Sequence, residues 1–205
     1  MYKCLKENFL ESGSYRIVPI RPEDVEKIRV WRNAQIDVLR QNEVISQQSQ
    51  IQYFEDSVWP TFEQVNPPQI LFSLIYGGEC IGYGGLTRID WTNRRAEVSF
   101  LVDPSRAGND PTYRQDFTFF LKMLCRIAFV DLQLQRLIAE TYAFRYSTIK
   151  VLEEIGFKHE GILRNHVKKQ GGWIDSIMLA LLSQEWRLLQ QQKKSKGVLV
   201  TSISS

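Results

Sequence analysis

The chain has 205 residues, with 26 Lys and Arg against 23 Asp and Glu and a formal net charge of +3. That length fits one domain of ordinary size, and 43% apolar with 12% aromatic residues supplies a real core, which excludes disorder throughout. So small a positive excess makes no electrostatic case for nucleic acid or a membrane as partner.

Residues 1–14 read as an N-terminal extension ahead of a domain over 15–192. Residues 15–20 read as a short strand ended by Arg21-Pro22, and Pro22 suits a helix start because its missing N–H would be unpaired there. Glu23 and Asp24 complement the helix dipole, and Val25, Ile28 and Trp31 share a face, so a helix is predicted over 23–33. A second is predicted over 46–58, capped by Ser46 or Ser49 and ended by Trp59-Pro60. Strands over 70–76 and 80–89 turn at Gly77-Gly78, and a third over 96–102 completes a meander. On the third, Ala96, Val98, Phe100 and Val102 share one face, and Glu97, Ser99 and Leu101 the other.

Residues 103–111, rich in Asp, Pro, Ser, Gly and Asn, read as a loop. The clearest helical period follows, in Phe117, Phe120, Leu121, Leu124, Ile127 and Ala128. Next come a strand over 136–142 and a helix over 147–155 that ends at Gly156, placed for a left-handed residue. Strands over 158–165 and 173–181, turned by Gly171-Gly172, lead to a closing helix over 183–192 and a flexible tail over 193–205. Three widely spaced cysteines, Cys4, Cys80 and Cys125, suggest neither a disulfide framework nor a zinc site, and no other metal motif is present; a reducing cytoplasm is expected. Residues 1–10 lack the apolar centre of a secretion signal, and no apolar run approaches the ~20 residues that span a bilayer.

Four segments, in order, resemble the GNAT superfamily, the Gcn5-related N-acetyltransferases. They are Ala96-Glu97-Val98-Ser99-Phe100-Leu101-Val102-Asp103-Pro104; Ala128-Phe129 with Leu132, Leu134, Arg136 and Ile138; Leu152-Glu153-Glu154-Ile155-Gly156-Phe157; and Glu160-Gly161 with Arg164, Gly172 and Asp175. The last is similar to the branch of ribosomal-protein and amino-sugar acetyltransferases. The resemblance covers roughly residues 15–186 and implies an α+β fold: a central mixed, twisted sheet flanked by helices, whose fourth and fifth strands, here 96–102 and 136–142, splay apart. It implies acetyl-CoA as cosubstrate, with no metal, and a monomer or homodimer.

The same resemblance implies roles for particular residues. Main-chain groups of Phe100, Leu101 and Val102 would pair with the pantetheine arm. The phosphate loop corresponds to residues 105–113, where Arg106 and Gly108 match but the usual Gly-x-Gly does not; Arg106, Arg114, Lys122, Arg126 and Arg145 are candidate phosphate ligands. Arg145 stands where the family usually has Asn, and Leu152 stands where many members have a tyrosine acid. Glu97 is the first candidate for the base that deprotonates the amine, with Asp175 and Glu160 second, and His159 and His166 of suitable intrinsic pKa. Thr148 or Ser147 could donate to the departing thiolate, or cap the helix.

Trp31-Arg32-Asn33 resembles acetyltransferases acting on nucleotide-linked amino sugars, with Arg32 for phosphate and Asn33 for a hydroxyl, while the phase of Trp31 places it in the core. The expected reaction is acetyl transfer to a primary amine of a small molecule such as a nucleotide-linked amino sugar. A protein N-terminus is the alternative acceptor, and a degenerate acyl-CoA-binding sensor is the alternative from another class.

Overall fold

Apolar stripes on the helices meet both faces of one sheet. The computed structural model describes residues 2–7, 9–108, 110–169 and 171–201, with side chains described as far as residue 192. In chain order the elements are β1 (Leu10–Ser12), β2 (Tyr15–Pro19), α1 (Val25–Ala34), α2 (Gln47–Tyr53), β3 (Ile70–Tyr76), β4 (Glu79–Asp90), β5 (Arg95–Val102), a one-turn helix α3 (Pro104–Ala107), α4 (Asp110–Arg126), β6 (Arg136–Tyr142), α5 (Tyr146–Ile155), β7 (Lys158–Lys169), β8 (Gly172–Leu182) and α6 (Ser183–Thr201). The strands lie in the order β1-β2-β3-β4-β5-β6-β8-β7. This is the mixed α+β sheet that the sequence led us to expect.

Alternation along β3 shows how the sheet separates two cores. Ile70, Phe72 and Leu74 pack on the side that also takes Phe117, Phe120 and Leu124 of α4. Leu71 packs on the other side, with Ile28 and Trp31 of α1, Phe54 after α2, and Leu101 of β5. Burying one such side chain contributes about 1.5–3 kcal/mol. Trp31 is thus core, as its phase predicts. At the end of α5, Gly156 has φ +118° and its N–H bonds the carbonyls of Leu152 and Glu153, so the helix closes on a left-handed residue.

All adjacent strands are antiparallel except β5 and β6, which are parallel. That parallel ladder contains only Arg95↔Arg136, Ala96↔Leu137 and Glu97↔Ile138. Past Glu97 and Ile138 the two strands part, while β4 follows β5 to Gly82↔Val102 and β8 follows β6 to Tyr142↔Ser176. The splay is therefore an opening within an otherwise laced sheet. Glycine lets β4 hold β5 on its own side of the opening: a Cβ on Gly84 would come within 2.1 Å of the Ser99 carbonyl oxygen.

Several boundaries differ from expectation. Within the segment read as an N-terminal extension, Tyr2, Leu5 and Leu10 are core residues, and the Tyr2 hydroxyl accepts from the Leu71 N–H at 2.9 Å. Residues 54–58 widen into a π-helical turn and residues 59–63 continue as a 3₁₀ helix, because Pro60 is tolerated in a first turn. The segment expected as a loop over 103–111 contains α3, capped by Asp103, whose side chain accepts from the Ser105 N–H. The closing helix runs to Thr201, nine residues beyond the expected end.

Candidate active site

The opening between β5 and β6 forms a cleft of about 450 Å³. A chamber of about 420 Å³ lies beside it, between the sheet and the α1–α2 layer. The two share Arg32, Tyr53, Thr87 and Ser99 in their walls. Strand parity explains this: Glu97 and Ser99 project from β5 on the α1–α2 side, opposite Ala96 and Val98.

Glu97 stands at the last rung of the parallel ladder, on the rim of the cleft. It pairs with Arg40 at 2.7 Å and with Arg88 at 3.1 Å, and only 14% of its side chain is exposed. Glu140, which the sequence reading passed over, shares Arg40 from the opposite strand. A usable signal was present: Glu140 has the same parity on β6 as Ile138, the residue paired with Glu97.

The wall formed by α4 and α5 carries a hydrogen-bond chain. Arg145 Nη2 donates to the Tyr113 hydroxyl at 3.2 Å, and that hydroxyl lies 2.8 Å from Thr148 Oγ1. Arginine can only donate, so the Tyr113 oxygen accepts from Arg145, and the bond between Tyr113 and Thr148 can run in either direction. Tyr113, Arg145 and Thr148 all line the cleft. Neither Thr148 nor Ser147 caps α5, whose N-cap is Arg145. Tyr113 had no assigned role from sequence, since its partner lies 35 residues away.

Other candidates have partners that keep them from the cleft. Arg106 makes a two-bond clasp on buried Asp116, at 2.6 and 2.8 Å, and Arg114 pairs with Glu154 at 2.6 Å. Arg126 pairs with Glu7. Gly108 is in the ordinary right-handed region, with φ −76°, so its position does not demand glycine. Asn109 lies outside the described residues. Asp110 opens α4 and accepts a short hydrogen bond from the Ser147 hydroxyl, joining the first turns of α4 and α5 where a phosphate site was expected. The Val102 carbonyl accepts from Gln35 Nε2 at 2.8 Å, whereas among the described residues no strand covers Phe100 and Leu101 on the β6 side.

Asp175 is away from the cleft: its carboxylate accepts from the Asn165 N–H at 2.7 Å. It holds a bulge of β7 in which Asn165 has φ +49°. Glu160 pairs with Arg136, and His159 with Glu153. His166 is brought to the cleft, 3.4 Å from Glu140. Asn33 is spent on the chain around Ile45, donating to its carbonyl and accepting from its N–H, both at 2.9 Å. Arg32 faces the chamber, donating to neutral Gln41 and Tyr83 at 3.1 and 2.9 Å, with no ion-pair partner among the described residues.

Burial raises the thiols of all three cysteines, that of Cys80 to about 12. None is a thiolate near neutral pH, so the arrangement favours direct attack on a thioester over an acyl-cysteine route. Among the described residues no cluster of His, Cys, Asp and Glu could hold a metal, and no helix is long and apolar enough to cross a membrane.

Comparison with known proteins agrees with this architecture. A stretch of 108 residues is 31% identical to Uncharacterized N-acetyltransferase p20 of Bacillus licheniformis, covering 53% of this chain and 58% of that protein. The chain thus spans somewhat over half the length of that relative. The spermidine N-acetyltransferase of Vibrio cholerae, solved in complex with CoA and spermine, superposes with a TM-score of 0.74 at 16% identity, over 85% of this chain and 99% of that one. At that identity the likeness establishes the fold. The family model described as Acetyltransferase (GNAT) domain matches residues 17–178, most of the chain and all of the splayed strands, so the chain belongs to the GNAT acetyltransferases.

Proposed function

We propose that the chain transfers the acetyl group of acetyl-CoA to the primary amine of a small molecule that also carries an anionic group, a nucleotide-linked amino sugar being the leading example. The observation that carries the acceptor class is Arg32, a cation with only neutral partners in a chamber whose described lining contains no carboxylate. A half-buried cation without a counter-charge carries part of the cost of leaving water, and an acceptor phosphate or carboxylate would offset it. A polycation would meet the opposite: one like charge and no acid along the same wall.

The cleft residues fit the rest of the reaction. Unpaired main-chain groups along Phe100 and Leu101 would bind the amides of the pantetheine arm and polarise the thioester carbonyl. Arg145 and Tyr113, in the first turn of α4, line the end of the cleft where the phosphates of the arm would lie. Glu97 takes a proton from the ammonium, since an alkylamine is mostly protonated at neutral pH. The neutral nitrogen attacks, the C–N bond forms, and the C–S bond breaks. Thr148, oriented by Tyr113, donates to the departing thiolate.

The test is a thermal-shift titration with acetyl-CoA followed by free-thiol release against an amine panel. Stabilisation is expected, with release fastest on a nucleotide-linked amino sugar and slower on spermidine or a peptide N-terminus. Fastest release with spermidine would overturn the anionic acceptor. Stabilisation with no turnover on any amine would make the chain an acyl-CoA sensor, and no stabilisation by any acyl-CoA would sink both readings.

A further inference from the structure

A cationic nitrogen already sits between two acids in the cleft. Arg40 comes from the connection between α1 and α2, and its Nη2 lies 2.7 Å from Glu97 Oε1 on β5 and 2.6 Å from Glu140 Oε2 on β6. The parallel register puts both glutamates on one face of the sheet, on either side of the opening. Glu97 and Glu140 are 14% and 11% exposed, whereas Arg40, at 42%, reaches in from solvent. Glu140 Oε1 is buried and makes no hydrogen bond among the described residues; His166 Nε2 lies 3.4 Å from it.

The backbone that carries Arg40 is anchored independently of the arginine. Lys169 Nζ donates to the carbonyls of Ile36 and Gln41 and to Asn42 Oδ1, and the Tyr142 hydroxyl donates to the Leu39 carbonyl. The Arg40 side chain can therefore swing out while the strap beneath it stays. An arginine built solely to tie two strands together would offer its whole fork. Here one nitrogen serves both acids, and a buried carboxylate oxygen beside it is left unsatisfied. One nitrogen, two acid oxygens at 2.6 and 2.7 Å and a third oxygen without a hydrogen bond form a seat for an ammonium group, which brings three donors on a single atom.

We propose that Arg40 Nη2 marks the seat of the acceptor's ammonium group, that Glu140 binds this group together with Glu97, and that the Arg40 side chain fills the seat until an amine displaces it. The proposal rests on the acyltransferase reading for calling the amine a substrate, but occupancy of the seat does not require turnover. It also orders the acceptor: the amine lies between the strands, and the anionic end lies in the adjoining chamber at Arg32.

The experiment uses the full chain with n-propylammonium chloride as probe, against sodium chloride at equal ionic strength, read by thermal unfolding. Arg40→Gly empties the seat, so saturable stabilisation by the probe is expected at about tenfold lower concentration than in the wild type, because the tethered competitor is gone. Adding Glu140→Gln to that variant is expected to abolish the response. Should Arg40→Gly not fold, Arg40→Gln, which keeps the stem, carries the same expectation. Equal responses of wild type and the Arg40 variant would overturn the proposal, as would a response that survives Glu140→Gln. Because no acetyl transfer is measured, a negative amine panel leaves this outcome readable.

Discussion

Asp24 and Asp116 differ from Glu97 and Glu140 in how their charges are held. Asp116 accepts two bonds from Arg106 and one from Tyr15, and Asp24 accepts two from Arg21 and one from Ser73. Each of these aspartates is almost wholly buried and takes two bonds from one arginine fork, although Arg21 also pairs with exposed Glu23. Glu97 and Glu140 share one arginine across the open strands, and one oxygen of Glu140 has no hydrogen bond. Saturated acids secure the fold, whereas acids left partly satisfied are available to a ligand.

The sharpest way to break this contrast is to remove a dedicated fork. Arg106→Ala leaves the Asp116 charge in the core, and a loss of about 3–5 kcal/mol in denaturant unfolding is expected. Pairing Arg106→Met with Asp116→Leu should recover most of it, since the charge leaves with its partner. An Arg106→Ala loss below about 1 kcal/mol would put Asp116 in the same class as the cleft acids.

Glu97→Gln should act on rate instead of stability. We expect kcat to fall about 10²-fold at neutral pH, and by less as the pH nears the amine's own pKa, where the nucleophile deprotonates unaided. An equal loss across the pH range would remove Glu97 from the role of base.

Asp24 extends the contrast to acid stability. Burial alone would raise its carboxyl, but the bonds from Arg21 and Ser73 outweigh burial and hold it below the unfolded value of 3.8. Such a group stabilises the fold fully above its unfolded pKa, and that contribution is lost as the pH falls through the folded one. Melting temperature should therefore drop between about pH 5 and pH 2 in the wild type, and less steeply in Asp24→Asn, which lacks that titration. Parallel acid limbs would contradict the role. The smallest effect is expected for Tyr113→Phe, about tenfold in kcat with little change in KM for acetyl-CoA, because Thr148 loses its orienting partner and remains in place. An unchanged kcat would remove the hydroxyl chain from the reaction.

The legible part of this molecule is what repeats locally. The apolar period of α4, the parity of β5 and the Gly156 stop are written in neighbouring residues, and each formed as read. Glu97 and Arg32, which line the cleft, could be singled out because they lie on such elements. Arg40 and Glu140 are 100 residues apart and meet only after the chain has crossed the sheet, so no local pattern announces them. Arg106 misled for the same reason: its partner, Asp116, reads as a polar interruption in an apolar helix until Tyr15 is folded against it.

The buried Tyr2 has a practical consequence for anyone preparing this protein. Its ring stacks on Phe62 at a centroid distance of 4.1 Å, and its hydroxyl holds the Leu71 amide. A shortened expression clone starting at residue 15, which the polar look of the leading segment invites, would leave a ring-sized void and an orphaned amide beneath the third strand. Affinity handles are better fused ahead of an intact leader through a supple spacer.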